Sequence, residues 1–462
     1  MRDVAIVSYA SAPNRRADPR NEVEILLPVV QEAVARSGIE RPFDFTCSGS
    51  SDFLQGTPFA FVTALDAAGA WPPIAESHVE MDGAWALYEA WVKIQAGQAE
   101  TALVYAFGKS SPGDLSEVLA TQLDPYLVAP LWPDAVGIAA LQARAWLEKT
   151  GKSERELAEI AVRSRRDARS NPHATVSGDY EIAKLLAEPY VAAPLRAHDC
   201  APICDGAVAV VLAAGDRARQ VCKRPAWIRG IDHRIEPHAL GMRDLTVSNS
   251  TRIAGGKAGI GKGAVDLAEL HAPFTHQETI LREALGLGAG VTVNPSGGAL
   301  TANPMMAAGL ARIGEAASRI WDGSARRTVA SAARALGTRR FASAACSSVS
   351  ELDQCTSTDD AEMLVVGWGS TWAAIHAAVQ RQRRTGHKVA WIHLTHLNPL
   401  PNDLGDLLHR YPTVLVPELN RGQLCNIVRG KYLVDAKSVS KVAGLPFTTK
   451  EIETAIEAAR NA

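Results

Sequence analysis

At 462 residues the chain has material for two or three domains of about 100–200 residues each, which excludes a single small core. Its formal net charge is −2, with 48 basic and 50 acidic residues interspersed, so no global field draws nucleic acid or an anionic membrane, and neither is expected as a partner. Seven cysteines, an odd number scattered along the chain, argue against a disulfide framework and fit a reducing compartment, with the cytoplasm as the expected location.

The first residues, Met1-Arg-Asp-Val-Ala-Ile-Val-Ser8, read as charge followed by a strand rather than a signal peptide, and no apolar run approaches the roughly 18 residues of a membrane span. A strand over 4–10 and a helix over 21–38, closed by Gly38, open the fold as a βα unit. Residues 43–52 end a strand in a small polar turn, where Cys47 reads as a buried strand residue rather than a nucleophile. An apolar helix over 83–97 and a strand over 101–107 follow. At that helix start Glu80 and Asp82 sit where the positive end of the helix dipole stabilises an anion; a carboxylate there suits a general base, a positioning group or a plain helix cap. Gly108-Lys-Ser-Ser-Pro-Gly113 lacks the spacing of a phosphate-binding loop. Residues 114–131 read as an inserted loop.

Two helices are expected over 135–151 and 153–171, the second opened by a Ser153-x-x-Glu156 capping box and carrying Arg163, Arg165, Arg166 and Arg169 on a basic face. Asp205-Gly-Ala-Val begins a second half, repeating the small-residue turn and apolar strand of the first. His271 lies between Leu270 and Phe274. In 291–309, Val291 and Val293 read as strand, Gly297 and Gly298 as a turn whose amides can approach a ligand, and 305–313 as a helix offering unpaired N–H groups to an anion. Past Gly323 the chain becomes rich in Ala, Arg and Ser without lasting period and reads as linker, Cys346 included. From residue 360 a βαβ pattern returns, with strands over 362–371, 388–394 and 413–418. Its Gly367-Trp-Gly369 turn lacks the third glycine of a dinucleotide fingerprint, so no nicotinamide cofactor is expected.

Four segments in order resemble the thiolase superfamily, in its sterol-carrier and lipid-transfer branch, over about residues 1–325. The turn Asn294-x-x-Gly297-Gly298 with Ala302-Asn303-Pro304 resembles that family's Asn-x-x-Gly-Gly…Gly-His-Pro motif. Glu269-Leu-His271-Ala-Pro-Phe274 resembles its Glu-Leu-His-Asp-x-Phe segment, and Cys200-Ala-Pro-Ile-Cys-Asp205-Gly-Ala its Cys-x-Pro-x-x-Asp-Gly-Ala segment. Glu80-Met-Asp82-Gly83 falls where the family carries its nucleophilic Cys-Ser-x-Gly. The resemblance implies a layered αβαβα core with a truncated second half, a coenzyme A thioester as substrate, no tightly bound cofactor, no metal, a homodimer, and a small OB-fold partner subunit. It also exposes departures: Glu80 replaces the cysteine, Asn303 replaces the histidine of Gly-His-Pro, and Cys346-Ser-Ser stands in place of Cys-x-Gly-Gly. Retro-aldol cleavage in lipid or steroid side-chain metabolism needs no acyl-enzyme and tolerates those losses better than thiolytic acyl transfer does. The expected catalytic set is Glu80 as base with His271 and Asn303 polarising the thioester carbonyl; Asn294, Gly297, Gly298, Asp82 and Arg166 are expected to bind the thioester or its coenzyme A. A non-catalytic acyl-CoA or lipid carrier, or a scaffold for a partner, is the competing class.

Gly367-Trp-Gly-Ser-Thr371, His396-Leu-Asn-Pro-Leu-Pro401, Val414-Leu-Val-Pro-Glu-Leu-Asn420 and Lys431-Tyr-Leu-Val434 resemble the C-terminal domain of the α subunit of 2-oxoacid:ferredoxin oxidoreductases. The expected organisation is a thiolase-like first half over 1–200, an incomplete second half over 201–325, a linker over 326–359, and an accessory Rossmann-like α/β domain without chemistry over 360–462. Two unrelated enzyme pieces in one chain read as a chimeric fusion.

Overall fold

The computed structural model describes residues 2–69, 74–121, 123, 128–237, 240–332, 341–342, 355–356, 361–394, 397, 400–401 and 403–461. Most of 326–359, Cys346 included, and much of His396–Pro401 lie outside them. The chain divides into two compact units, Met1–Cys346 and Ser347–Ala462.

The first unit is built from two similar halves. In the first, strand β1 (Val4–Ser11), helix α1 (Glu22–Ser37), strands β2 (Phe45–Gly49) and β3 (Glu76–Val79), helix α2 (Gly83–Gln95) and strands β4 (Thr101–Gly108) and β5 (Gly206–Ala214) follow in order. In the second, β6 (Ala226–Trp227) leads into an outer-layer segment from which helices α3 (Asn249–Ala258) and α4 (Thr275–Ala284) flank β7 (Leu267–Leu270). Strand β8 (Thr292–Val293), helix α5 (Ala308–Trp321) and β9 (Thr328–Ser331) complete it. The sheets run β3-β2-β4-β5-β1-β6 and β8-β7-β9. β2 is parallel to β3 and β4, β7 is parallel to β8 and β9, and β5 lies antiparallel between β4 and β1.

Every residue of β5 is buried, because its sequence is apolar on both faces. Val208, Val210 and Leu212 face α2 and α5, while Ala207, Ala209, Val211 and Ala213 face Leu26, Val29 and Val30 of α1. Helices α2 and α5 thus form the middle of an αβαβα layering, and the expected fold class holds. Helix α1 begins with an Asn21/Glu24 capping box and ends at Gly38, whose φ of 64° is the left-handed conformation the sequence signals there.

One element falls where linker was expected: β9 lies at 328–331 and pairs in register with β7, Leu267 opposite Thr328 and Leu270 opposite Ser331. Its four small residues have no turn signal beside them, and the surrounding Ala/Arg bias hid the strand. Among the described residues no helix is long and apolar enough to cross a membrane.

The second unit is a parallel sheet of β10 (Met363–Trp368), β11 (Val389–Leu394), β12 (Thr413–Glu418) and β13 (Ala436–Ser440), with β10 between β11 and β12 and a short antiparallel pairing at Cys355–Thr356 on the β11 edge. Met363 and Val365 pack on Ile375, Val379, Ile452 and Ile456; Leu364 and Val366 pack on the opposite face with Leu404, Leu408 and Val428. Fully buried Glu418 ends β12 and receives Leu424 N–H at 2.8 Å, Cys425 N–H at 2.9 Å, Asn420 Nδ2 at 3.2 Å and Trp368 Nε1 at 3.3 Å. The anion sits on the N-terminus of helix Gln423–Tyr432 and closes the turn after β10 onto it. Glu418→Ala strands several buried donors and is expected to cost about 3 kcal/mol or more, read as a lowered unfolding transition of this unit in hydrogen exchange while amides of β5 keep their protection.

Candidate active site

The turn after β3 and the turn after β8 are equivalent positions of the two halves, and each leads into a middle-layer helix. The two helix starts therefore meet, and Asp82 is the residue between them. Its side chain accepts Ala84 N–H of α2 at 2.9 Å, and also Gly309 and Leu310 N–H of α5 at 2.8 and 3.1 Å. Such an approach requires glycine on both sides. A Cβ on Gly83 would lie 2.5 Å from Ala106 Cβ, and one on Gly309 would lie 2.5 Å from Ala332 Cβ and from Asp82 Oδ1. Burial raises the Asp82 pKa above its ordinary value, against the opposing pull of His271 and the three N–H donors.

His271 stands just past the end of β7, its N–H bonded to Ser331 O at 3.1 Å. Its Nε2 lies 2.9 Å from Asn303 Oδ1, and both residues are enclosed, at 7% and 5% exposure. An amide oxygen facing Nε2 makes that nitrogen the donor and turns the Asn303 NH2 elsewhere; this orientation follows from the hydrogen-bond pattern. Asn303 is held in turn by a two-residue parallel pairing of Asn303–Pro304 with Ile203–Cys204, which brings the Cys200–Asp205 segment alongside. His271, Asn303 and Asp82 thus come from three distant stretches of chain to one region where the two halves meet.

Glu80 does not take the place expected of it. It is exposed at the edge of the sheet, with its carboxylate 3.5 Å from His78 Nε2; the carboxylate whose charge acts on His271 belongs to Asp82, two residues on. No spacing argument separates two carboxylates so close together in the sequence. Glu80→Gln is accordingly expected to leave both turnover and thermal stability unchanged, measured beside an Asp82 variant.

The glycine turn is braced by bonds within it and to its neighbours. Asn294 is left-handed at φ 51°; its Oδ1 accepts Leu270 N–H at 2.6 Å and its Nδ2 donates to Glu278 Oε2 at 2.8 Å. Gly297 and Gly298 have the positive φ the sequence implies, but their N–H groups go to Asn294 O and Ser296 Oγ. Helix α5 starts at Ala308, later than the run suggested, and the positive end expected to face an external anion holds Asp82. Asn294, Gly297 and Gly298 thus hold the turn in shape through bonds of their own.

The basic face expected on 153–171 exists on helix Glu154–Asp167, but its cations have partners. Arg163 binds Glu278 at 2.6 Å, Arg165 lies 4.5 Å over the Tyr180 ring, and Arg169 binds Asp179 at 2.6 Å. Exposed Arg166 meets its chain neighbour Asp167, at 3.0 Å, so it is the one most easily redirected to a phosphate.

Behind the site lies a buried ionic network missed in the sequence. Glu269 accepts Ser296 N–H at 3.1 Å, Ser296 Oγ at 2.7 Å and Arg312 Nη1 at 2.8 Å, and Tyr9 OH reaches Glu315 at 3.2 Å. Burial raises the Glu269 pKa, with Arg312 opposing. The apolar-looking helix Ala308–Trp321 gave one signal of it, an Arg and a Glu three residues apart on the face that also carries Ile313 and Ala316.

Burial also keeps the neighbouring thiols protonated: Cys200 and Cys204 are pushed up to about 12, and Cys47 far above its ordinary value. Cys47 sits in β2, as expected of a strand residue. Among the described residues no group of three His, Cys, Asp or Glu side chains is placed to hold a metal ion.

Fold and site together define a thiolase-like α/β protein. Benzoylsuccinyl-CoA thiolase subunit BbsB of Thauera aromatica is 32% identical over 200 residues, 38% of this chain and 52% of that protein. 2-Oxoglutarate oxidoreductase subunit KorA of Mycobacterium tuberculosis is 52% identical over 111 residues, 24% of this chain and 17% of that protein. The chain thus spans about half of the first relative's length and a sixth of the second's. Among solved structures, one described as "Ltp2-ChsH2(DUF35) aldolase" matches with a TM-score of 0.61 at 18% identity, covering 74% of this chain and 98% of that chain, a likeness of fold. No family model matches. The chain joins a thiolase-like N-terminal part to a short oxidoreductase-like segment, as the two resemblances imply.

Proposed function

We propose that the first unit is an enzyme of thiolase lineage that cleaves a carbon–carbon bond in a β-hydroxyacyl-CoA by a retro-aldol step. The observation that carries this reading is the meeting of the Asp82 carboxyl, its pKa raised by burial, with the enclosed His271–Asn303 pair, beside cysteines held as thiols. Asp82 takes the proton of the substrate's β-hydroxyl. The Cα–Cβ bond breaks as a carbonyl forms at Cβ, and the bonding pair moves to Cα as a thioester enolate. Asn303 Nδ2, oriented by the bond from its Oδ1 to His271, donates to the enolate oxygen. The proton on Asp82 then returns to Cα, which closes the balance. Coenzyme A enters and leaves as part of substrate and product, with Arg166 as the phosphate contact; no tightly bound cofactor is required.

The family relationship supports a thioester substrate, and BbsB is named as a CoA thiolase subunit. A lipid or steroid side chain as the acyl group, a homodimer, a cytoplasmic location and a small OB-fold partner subunit belong to the same reading; the aldolase structure's description, which joins Ltp2 to ChsH2(DUF35), supports a partner. The oxidoreductase-like part is an accessory domain of a chimeric fusion.

The test is the full chain with a β-hydroxyacyl-CoA, and separately with a 3-ketoacyl-CoA plus free coenzyme A. Cleavage of the first without thiolysis of the second is expected. Because burial raises the Asp82 pKa, kcat/KM should rise with pH along an acid limb displaced upward from that of an ordinary aspartate, and Asp82→Asn should remove that limb. Thiolysis with an acyl-enzyme burst overturns the proposal. The second reading, an acyl-CoA carrier, is favoured by the three N–H groups already bonded to Asp82, which suit a cap; tight coenzyme A thioester binding without turnover of either substrate selects it.

A further inference from the structure

Helix α5 holds Asp82 at its first turn, yet its buried face does little to fix where the helix lies along its own axis. Of its nine buried residues six are Ala or Gly: Ala308, Gly309, Ala311, Gly314, Ala316 and Ala317. Such a face has shallow ridges, and ridges seated in grooves are what ordinarily set the register of a packed helix. At Gly314 the approach is close enough that a Cβ would lie 2.1 Å from Tyr9 Cδ2 of β1. Among the buried residues of α5 only Leu310, Arg312 and Glu315 carry longer side chains.

Leu310 packs in the apolar core, and Glu315 Oε1 accepts the Tyr9 hydroxyl at 3.2 Å. Arg312 reaches β7. Its Nη1 donates to Glu269 Oε2 at 2.8 Å and to Ser296 Oγ, which itself donates to Glu269 Oε2 at 2.7 Å. Glu269 and His271 are two residues apart at the end of β7, so their side chains leave it on one face. Arg312 comes three residues after Gly309, whose N–H binds Asp82, and so lies one turn on along the same face of α5. Two contacts between β7 and α5 therefore run side by side. His271 acts on the Asp82 carboxylate at the first turn, and Glu269 grips Arg312 roughly 5–7 Å further from the site.

We propose that Arg312 and Glu269 are positioning residues for the cleavage reaction: their bonds fix α5 along β7 and so hold Asp82 at its working separation from His271. Both are enclosed, at 5% and 0% exposure, and act through the two residues they place. For stability alone a buried ion pair is a poor choice, since apolar side chains of similar volume join two elements as well or better. What the pair adds is a fixed length, because charge-assisted hydrogen bonds are short and directional where apolar contacts slide. Displacing reacting groups by about 1 Å costs about 10²-fold in rate. The effect on turnover rests on the retro-aldol reading; the effect on the Asp82–His271 pair rests on geometry alone.

The experiment uses the full chain with Arg312→Met and Glu269→Gln together, which removes both charges and keeps most of the packing. With a β-hydroxyacyl-CoA, kcat is expected to fall about tenfold or more and KM to stay within about twofold, while stability is largely retained. Arg312→Lys, which keeps the charge but not the fork of donors, should fall between this variant and the parent. A second readout needs no turnover: the titration of His271, followed by NMR of protein labelled in its imidazoles and assigned by its loss in His271→Gln. Asp82→Asn should lower the His271 midpoint in the parent, because the carboxylate favours the imidazolium. In the charge-free background the same substitution should move it less than about half as far, and comparison within one background cancels the direct effect of the removed charges. An undiminished shift overturns the proposal, as does a charge-free variant with the parent's kcat. A parent protein that cleaves no β-hydroxyacyl-CoA sinks the retro-aldol reading instead, and the His271 shift then decides the positioning role by itself.

Discussion

Asp82→Asn should lower turnover of a β-hydroxyacyl-CoA by about 10²-fold or more with little change in KM, because it keeps shape and one acceptor oxygen but removes the base. Asp82→Ala separates chemistry from architecture. It deletes the shared cap of α2 and α5, so it should lose turnover and also about 2 kcal/mol or more of stability, where Asp82→Asn loses much less. His271→Ala should reduce kcat through a loosened Asn303 without the stability loss of Asp82→Ala. If Asp82→Asn retains turnover, Asp82 is a cap alone and the base lies elsewhere.

Arg312→Met should cost the first unit about 3–5 kcal/mol in denaturant unfolding, since it leaves Glu269 buried without its cation. The deficit has a pH signature. Glu269 already has a pKa raised by burial, and loss of Arg312 raises it further. A carboxyl whose folded value exceeds its unfolded value binds more protons in the folded state, so stability falls as pH rises through that window. The variant should therefore lie nearest the parent protein in mild acid and furthest from it at neutrality. Glu269→Gln with Arg312→Met removes both charges and should recover a large part of the loss; no recovery would mean that Arg312 acts through packing alone.

Periodicity and turn residues were enough to place β1, α1, β4, β5 and the βαβ run of the second unit, because each has a long apolar pattern with a cap or glycine at its end. They failed at β9, four residues long inside a biased stretch, and at the start of α5, where Met305–Ala307 look as helical as the residues of the helix itself. His271 and Asn303 were legible as a pair only through motif resemblance; nothing local in Ala302-Asn303-Pro304 points to a residue 32 positions earlier. The choice between Glu80 and Asp82 was illegible for a sharper reason. The difference between them is set by the start of a second helix more than 220 residues away, whose Gly309 and Leu310 amides need an anion, and no property of residues 80–82 records that demand. The basic face was legible as charge and misleading as function, since its partners Glu278, Tyr180 and Asp179 come from elsewhere.

The position of β5 has a consequence for the chain as it is made. β1 leaves the ribosome well before β5 and is largely apolar, yet its central neighbour in the sheet is β5, with Val4 opposite Ala214 and Ser11 opposite Val208. Roughly two hundred residues must be translated between them, which at about 5–20 residues per second leaves β1 without its partner for roughly 10–40 s. During that interval β2, β3 and β4 can pair among themselves, but β4 and β1 each present an open apolar edge that only β5 closes. Nascent chains halted before residue 206 should therefore be the aggregation-prone and chaperone-bound species, and those halted well beyond 214 should not.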